Sequence, residues 1–230
     1  RWTMTMTVAM CSLLSRVAAY NIPNSDLSQH PFNLIISRGS VVDFSHTNAQ
    51  SAAIVNAANE ACLGGGGVDG AISNAGGPNL FNDRQALPTV GPGIRCKTGS
   101  AVITGPNSYG DLHTSYVIHA VGPNYHVQPN LEEGDKLLSS AYAASLESAK
   151  DANLEAVAFS LLSAGIFRGR RSQKDVLRIG METIARFDGY AELQEVHLCA
   201  FTAREADTLV EIANEMGLES SGESTTCDLL

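Results

Sequence analysis

The chain has 230 residues, 44% of them hydrophobic, which suits a single globular domain with a sizeable core. Its formal net charge of −9 argues against a protein that coats nucleic acid, because such proteins present a basic face. No apolar run in the sequence is long enough to span a bilayer, so no membrane partner is expected.

Five cysteines are scattered along the chain without a Cys-x-x-Cys pair. An odd number at such spacing predicts neither a disulfide framework nor a zinc site, and it favours a reducing compartment. We therefore expect an intracellular soluble protein of the cytoplasm or nucleus. Cys62, two residues before a run of four glycines, is interpreted as a small packing residue rather than a nucleophile.

The N-terminal segment allows two interpretations. It carries Arg1 and Arg16 but no acid before Asp26, a pattern of some organelle transit peptides, and this keeps a mitochondrial location as an alternative. We favour an ordinary packing helix from about Thr7 to Tyr20. Turn residues follow, and then a strand is predicted at Phe32–Ser37.

A glycine-rich stretch dominates the next part of the chain. Residues Ala52–Val55 are apolar and partly β-branched, which predicts a short buried strand. Four glycines, Gly64–Gly67, leave the backbone free of Cβ atoms, so that a bulky ligand can approach the main chain. A helix predicted from near Val68 to about Phe81, with a kink at Gly76–Pro78, would direct unpaired N–H groups at that ligand. These features predict a backbone cradle for an anion such as phosphate.

Strands and helices alternate in the rest of the chain. The predicted elements are a strand at Ala101–Thr104, a strand at Tyr116–Val121, a helix from about Glu133 to Lys150, a strand at Ala156–Leu162, a helix from about Ser172 to Phe187, a strand at Val196–Ala200 and a helix from about Ala203 to Met216. This order predicts an α/β sandwich with helices on both faces of the sheet. Ligands bind such sheets at the carboxyl ends of the strands, where the loops after Val55, Leu162 and Cys199 should meet.

Two common nucleotide motifs fit the sequence poorly. Residues 65–70 match G-x-G-x-x-G, but residues 56–63 separate them from the strand, and the candidate ribose-binding acid, Asp83, lies by the end of the same helix. Residues 91–98 resemble a Walker motif, but Cys96 replaces its second glycine and no strand precedes it. A dinucleotide-binding fold and a nucleoside triphosphatase are therefore disfavoured. We also find no Ser-His-Asp set, no metal-ligand spacing and no paired carboxylates, and we expect no cofactor.

The complete pattern closely resembles the macrodomain family of ADP-ribose-binding modules, and within it the MacroD-like hydrolase branch. The resemblance covers about residues 32–217. Its motifs are Asn-Ala-Ala-Asn at 56–59 with Gly-Gly-Gly-Gly-Val-Asp-Gly-Ala-Ile at 64–72, Cys-x-Thr-Gly-x-Ala-x-Ile-Thr at 96–104, Tyr-Val-Ile-His-x-Val-Gly-Pro at 116–123, and Ser-Ala-Gly-Ile-Phe at 163–167. It implies a three-layer α/β/α sandwich with a central mixed sheet at 32–217. Residues 1–31 remain as an N-terminal helical extension and 218–230 as a flexible C-terminal tail.

The resemblance implies a role for each matching residue. Asn59 would hydrogen-bond the distal ribose hydroxyls, since a carboxamide both donates and accepts. Asp69 would orient that ribose and polarise a water for attack at the anomeric carbon, whereas its simpler role is a negative charge at a helix N-terminus. The other expected ligand contacts are Asn56, which mainly pins the loop, the backbone of Gly65, Gly66, Gly67 and Val68, the second phosphate loop at Ser163, Ala164, Gly165, Ile166 and Phe167, and Phe201 against the adenine.

The sequence departs from the family pattern at several positions. Ser40 stands where relatives often carry an acid that contacts adenine, so we expect recognition through Ser40 or through backbone. Arg168 follows the second phosphate loop, where many relatives have glycine. It either adds charge-assisted contacts to the diphosphate or belongs to a solvated helix approach. Ser73 replaces a frequent histidine, and His119, inside an apolar strand, is interpreted as a structural histidine.

The family resemblance predicts a hydrolase that removes mono-ADP-ribose from acidic side chains of proteins and deacetylates O-acetyl-ADP-ribose. Its expected partners are ADP-ribose, O-acetyl-ADP-ribose and mono-ADP-ribosylated proteins, with no metal and a monomeric state. The alternatives are a non-catalytic ADP-ribose reader and a phosphatase acting on ADP-ribose 1″-phosphate. The presence of both Asn59 and Asp69 favours the hydrolase.

Overall fold

The structure is a computed structural model that describes residues 14–23 and 31–221. The strands in these residues are β1 (Ser15–Ile22), β2 (Phe32–Arg38), β3 (Ala52–Ala57), β4 (Ala101–Thr104), β5 (Tyr116–Ala120), β6 (Ala156–Ser160) and β7 (Glu195–Ala200). The α-helices are α1 (Gly67–Ala86), α2 (Leu131–Asp151), α3 (Gln173–Ala185) and α4 (Ala203–Glu215). None of the helices in the described ranges is both long and apolar enough to cross a membrane.

The described strands form one mixed sheet in the order β1-β2-β7-β6-β3-β5-β4. Neighbours from β2 through β5 are parallel, whereas the two edge strands, β1 and β4, pair antiparallel. Every residue of β3 except Ala57 is buried, as expected for a parallel strand that is covered on both faces. The predicted three-layer sandwich with a mixed sheet is confirmed.

Alternating side chains of the sheet pack against helices on its two faces. On one face, Val55 of β3 belongs to the core that α2, α3 and α4 complete. On the other face, Ile54 packs in a core with Ile72 and Leu80 of α1. Helix α1 is the next helix after β3 in the chain and packs on this face of the sheet. Its first turn therefore lies beside the carboxyl end of that central strand.

The elements predicted from residue 32 onward are all present, with boundaries that differ by a few residues. The largest difference is in α1, which continues to Ala86 instead of ending near Phe81. The predicted kink is real: Gly77 has φ 61° and ψ −157°, a non-helical conformation in front of Pro78. Glycine adopts a positive φ at little cost, and proline removes an internal hydrogen bond, so the chain changes direction here.

The predicted helix from Thr7 to Tyr20 is wrong where the structure describes it, because Ser15–Ile22 is strand β1, and residues 7–13 lie outside the described ranges. Tyr20 and Ile22 point into the core at the two-residue spacing of a strand, and the free edge of β2 supplies hydrogen bonds. Pairing with an existing sheet therefore overrides the local helical pattern. The start of the predicted tail pairs with β1 as well, since the Ser221 N–H donates to Ala19 O at 2.9 Å.

Candidate functional site

A cavity of about 570 Å³ lies at the carboxyl ends of the parallel strands. The loops after β3, β6 and β7 all contribute to its wall, as the sequence predicted, and the loop after β2 joins them. The predicted site residues that line it are Ser40, Asn59, Gly65, Gly66, Gly67, Val68, Asp69, Ser163, Ala164, Gly165, Ile166, Phe167 and Phe201.

The glycine loop turns its backbone toward this cavity. The N-cap residue of α1 is Gly66, so no side chain caps the first turn of this helix in the described structure. A Cβ added at Gly66 would meet no described atom within 4 Å, which means that the main chain borders open space. The first turn of α1 therefore brings unpaired N–H groups to the cavity wall, an arrangement that can hold an anion.

The second loop, between β6 and α3, also presents main chain rather than side chains. Ser163 has φ 53°, and its hydroxyl is committed because Oγ donates to Pro123 O at 2.8 Å. Phe167 O accepts from Tyr125 N at 2.8 Å, which anchors the loop to the segment after β5. A Cβ added at Gly165 would meet no described atom within 4 Å. This loop can therefore offer a second set of backbone N–H groups to an anion in the cavity.

Asn59 uses half of its carboxamide to shape the glycine loop. Its Nδ2 donates to Gly64 O at 2.9 Å, and its Oδ1 accepts from Ala61 N at 3.1 Å. One Nδ2 hydrogen and one Oδ1 lone pair are left over for a ligand hydroxyl. Cys62 packs beneath this loop with no exposed surface, as predicted, and its Sγ donates to Asn59 O at 3.5 Å.

Asp69, in the first turn of α1, is 3% exposed. Its two carboxylate oxygens have different surroundings. Oδ1 accepts from Asn56 Nδ2 at 2.9 Å and from Arg84 Nη2 at 2.6 Å. Oδ2 is buried, and no partner for it exists among the described residues. A Cβ added at Gly65 would lie 3.0 Å from Asp69 Oδ2 and 3.2 Å from Asn59 Nδ2, so these two polar groups converge on one point of the cavity wall.

Behind Asp69 lies a buried polar cluster that sequence reasoning missed. Arg84, 1% exposed, donates through Nη1 to Ser73 Oγ at 2.7 Å and through Nη2 to Asp69. His119 Nδ1 lies 3.2 Å from Asn56 Nδ2 and 3.3 Å from Arg84 Nη2, both of which are donors, so Nδ1 must accept.

His119 is therefore the neutral tautomer with the proton on Nε2, which lies 3.0 Å from Thr104 Oγ1. Burial, and then the charge of Arg84, hold the pKa of His119 well below its usual 6.5. The side chain is fully buried and lies outside the cavity lining, which agrees with the structural role predicted for it.

The opposite end of the cavity is formed by the loops after β2 and β7. Phe201 is 76% exposed, so it is not a core residue. Ser40 Oγ accepts from Val42 N at 3.3 Å and caps a short 3₁₀ turn, which leaves the hydroxyl proton free to donate. Cys199 and Glu205 also line this end and were not predicted. Burial raises the pKa of the Cys199 thiol, which disfavours the reactive thiolate form.

Asn56 and Arg168 are the predicted ligand contacts that do not line the described cavity. Asn56 is fully buried and holds Asp69 from behind, which is a supporting role. Arg168 Nη1 donates to Arg171 O at 2.9 Å, so its guanidinium is held by its own turn. Arg171 in turn pairs with Asp135 of α2 at 2.7 Å and with Asp175 of α3 at 3.1 Å. The acids on α2 and α3 thus compete with any diphosphate for this arginine-rich segment.

Among the described residues, no cluster of His, Cys, Asp or Glu side chains is arranged so that it could hold a metal ion.

Comparison with known proteins gives the family. The Macro domain family profile matches residues 55–178. The chain belongs to the Macro domain family. A macro domain-containing protein of Caldanaerobacter subterraneus subsp. tengcongensis is 36% identical over 179 residues, covering 78% of this chain and 94% of the relative. A protein of Pantoea vagans named O-acetyl-ADP-ribose deacetylase 2 is 37% identical over 170 residues, covering 73% of this macrodomain and 94% of the relative.

Solved macrodomains share the fold. The Oceanobacillus iheyensis macrodomain with ADP superposes with a TM-score of 0.71 at 28% identity and covers 86% of this chain and 96% of its own. The Trypanosoma brucei macrodomain in complex with ADP-ribose superposes with a TM-score of 0.63 at 30% identity and covers 77% of this chain and 68% of its own.

Proposed function

We propose that this macrodomain binds ADP-ribose in its cavity, releases mono-ADP-ribose from acidic side chains of proteins and deacetylates O-acetyl-ADP-ribose. Family membership, relatives named as O-acetyl-ADP-ribose deacetylases and a neighbouring macrodomain in complex with ADP-ribose support this. The cavity volume of about 570 Å³ falls within the range of about 300–1,000 Å³ that small-molecule sites occupy.

The two backbone loops suit the diphosphate. The first turn of α1 and the loop at Gly165 both present main chain to the cavity, and peptide N–H groups hold phosphate without any positive side chain. This explains how a chain with a formal net charge of −9 can bind an anion. Phe201 offers an exposed aromatic face to adenine, and the distal ribose then lies beside Asn59 and Asp69.

The observation that carries the hydrolase proposal is Asp69 Oδ2, a buried carboxylate oxygen without a described protein partner beside Asn59. Leaving such an oxygen buried is costly unless a bound group donates to it. A ribose hydroxyl or a water does so. In the hydrolysis of a glutamate-linked ADP-ribose, a water oxygen bonds to the anomeric carbon and the bond to the glutamate oxygen breaks. The products are ADP-ribose, a free carboxylate and a proton, which passes to solvent.

The same ribose carries the acetyl ester of O-acetyl-ADP-ribose, so the site meets a second ester in the same position. There the water oxygen bonds to the acetyl carbonyl carbon and the bond from that carbon to the ribose oxygen breaks. The ribose oxygen keeps one water proton as a hydroxyl, acetate is released, and the other proton passes to solvent. Asn59 and Asp69 orient the ribose in both reactions. Since Asp69 is an aspartate and hence a weak base, its contribution to the rate is expected near the lower end of the usual 10²–10⁴-fold range.

The experiment compares substrates that differ only in the bond to the distal ribose. Peptides mono-ADP-ribosylated on glutamate or on arginine, O-acetyl-ADP-ribose and ADP-ribose 1″-phosphate are incubated with the protein, and products are followed by mass spectrometry. Release from the glutamate peptide and from O-acetyl-ADP-ribose, with the arginine peptide left intact, is the expected result. Tight ADP-ribose binding without release would leave a reader module, and preferential loss of phosphate would favour the phosphatase.

A further inference from the structure

We propose that Arg84 is a positioning residue, which fixes Asp69 so that its free oxygen faces the ligand in the cavity. This inference rests on the proposed function. The sequence offered no family pattern for this residue, and its role comes only from where the fold places it. Arg84 lies outside the cavity lining and therefore acts on the ligand through Asp69.

The kink of α1 makes the contact possible. Arg84 and Asp69 are 15 residues apart within one helix, yet Arg84 Nη2 lies 2.6 Å from Asp69 Oδ1. In a straight α-helix that rises about 1.5 Å per residue, their backbones would be about 22 Å apart, beyond the reach of the two side chains. The break at Gly77 folds the second half of α1 back, so that its last turns return a side chain to its first turn.

The hydrogen-bond geometry orients the carboxylate. Arg84 holds Asp69 Oδ1 with Nη2 while Nη1 donates to Ser73 Oγ at 2.7 Å, and that hydroxyl itself donates to the backbone oxygen of Asp69 at 2.7 Å. Asn56 Nδ2 adds a second donor to Oδ1. With one oxygen held twice, the carboxylate cannot rotate freely, and the other oxygen stays directed at the point near Gly65 where Asn59 also ends. The planar fork of arginine suits this two-pronged hold, whereas lysine supplies only a point charge.

The charge balance of the cluster supports the same role. Among the described residues, Arg84 is the positively charged side chain that contacts Asp69, and both side chains are almost fully buried. His119 touches Arg84 but stays neutral, so the buried group consists of one positive and one negative charge. Ser73 stands where the family resemblance expects a histidine, and the smaller side chain gives the guanidinium both space and an acceptor. Ser73 and Arg84 thus form a hydrogen-bonded pair behind the Asp69 carboxylate, which the family pattern did not predict.

The test is a double-mutant cycle with Arg84→Met, Asp69→Asn and the combined variant. Arg186→Met is the control, because Arg186 is an exposed arginine that caps the C-terminal end of α3 and pairs with Glu182. ADP-ribose affinity by calorimetry and kcat on the glutamate-linked peptide are measured well below the unfolding temperature and corrected for the folded fraction. If Arg84 acts through Asp69, Arg84→Met lowers kcat by about the same factor as Asp69→Asn, roughly 10²-fold, and the combined variant loses no more.

Several outcomes would overturn the proposal. Wild-type kcat and affinity in fully folded Arg84→Met would reduce Arg84 to a stability role, and losses that multiply in the combined variant would make it independent of Asp69. If Arg84→Met does not fold, Arg84→Lys decides, because it keeps the charge but loses the fork: a loss of about ten-fold in kcat supports the proposal and an unchanged kcat contradicts it. If the wild-type protein releases no ADP-ribose, the hydrolase function fails, while the same cycle on ADP-ribose affinity still tests Arg84.

Discussion

Replacing Gly66 with alanine should weaken ADP-ribose binding without weakening the fold. Gly66 has φ −95° and ψ −179°, an extended backbone that any residue adopts. Its added Cβ would meet no described atom within 4 Å, so the methyl group points into the space that the diphosphate would fill. At an N-cap position glycine is slightly better than alanine, so the free energy of unfolding should change by no more than about 1 kcal/mol.

The expected loss of affinity follows from the backbone cradle. A methyl group between the main chain and a phosphate breaks at least one hydrogen bond to a charged oxygen, and such a bond contributes about 1.5–3 kcal/mol. The dissociation constant should therefore rise about 10- to 150-fold. Calorimetric titration with ADP-ribose measures the affinity, and denaturant unfolding measures the stability. Gly91→Ala is the control, because its Cβ would make an ordinary 3.6 Å contact with Ile94 outside the cavity. Wild-type affinity in Gly66→Ala would refute the close approach of ligand to this loop.

Three further predictions concern the other parts of the site. In the folded protein the pKa of His119 lies well below 6.5, so this side chain binds a proton only after unfolding. The free energy of unfolding should therefore fall as the pH drops below about 6.5, by up to about 1.4 kcal/mol per pH unit. Above that pH the contribution of His119 should stay constant. His119→Gln should lose this slope in urea titrations between pH 5 and 8, while the exposed His126→Gln keeps it. Phe201→Ala should raise the ADP-ribose dissociation constant by the equivalent of about 1–3 kcal/mol with unchanged stability, whereas Phe81→Ala, at an exposed site outside the cavity, should leave affinity unchanged. Gly77→Ala places a Cβ in a strained backbone region and should cost about 1–3 kcal/mol of unfolding free energy; an unchanged value would contradict the stated need for glycine at the kink.

The glycine loop was predictable because its features are local in sequence. A buried strand, two asparagines, four glycines and an acid in a helix start follow one another directly, so their order fixes which groups face the same edge of the sheet. The loops after β6 and β7 could be placed there as well, because the carboxyl ends of parallel strands meet at one edge. The residues expected in these loops do line the cavity, and their contacts with a ligand stay predictions.

What the sequence did not reveal depends on contacts between distant segments. Arg84 reaches Asp69 only because α1 bends at Gly77, and no pattern in the sequence gives the angle of that bend. Strand β1 forms because β2 leaves an edge unpaired, which overrides the helical spacing read from residues 7–20. The position of Arg168 allowed either a diphosphate contact or a solvated helix approach, and only the folded chain shows that its guanidinium bonds to the backbone of Arg171.

The proposed hydrolase activity depends on the free oxygen of Asp69, and one comparison tests it most directly. Wild type and Asp69→Asn are assayed side by side for ADP-ribose affinity and for kcat on a peptide mono-ADP-ribosylated on glutamate, each corrected for the folded fraction. Asparagine keeps the shape of the side chain but removes the carboxylate, so kcat should fall about 10²-fold while the dissociation constant rises by a factor of ten or less. Equal kcat values in the two proteins would contradict the role of Asp69 in the reaction.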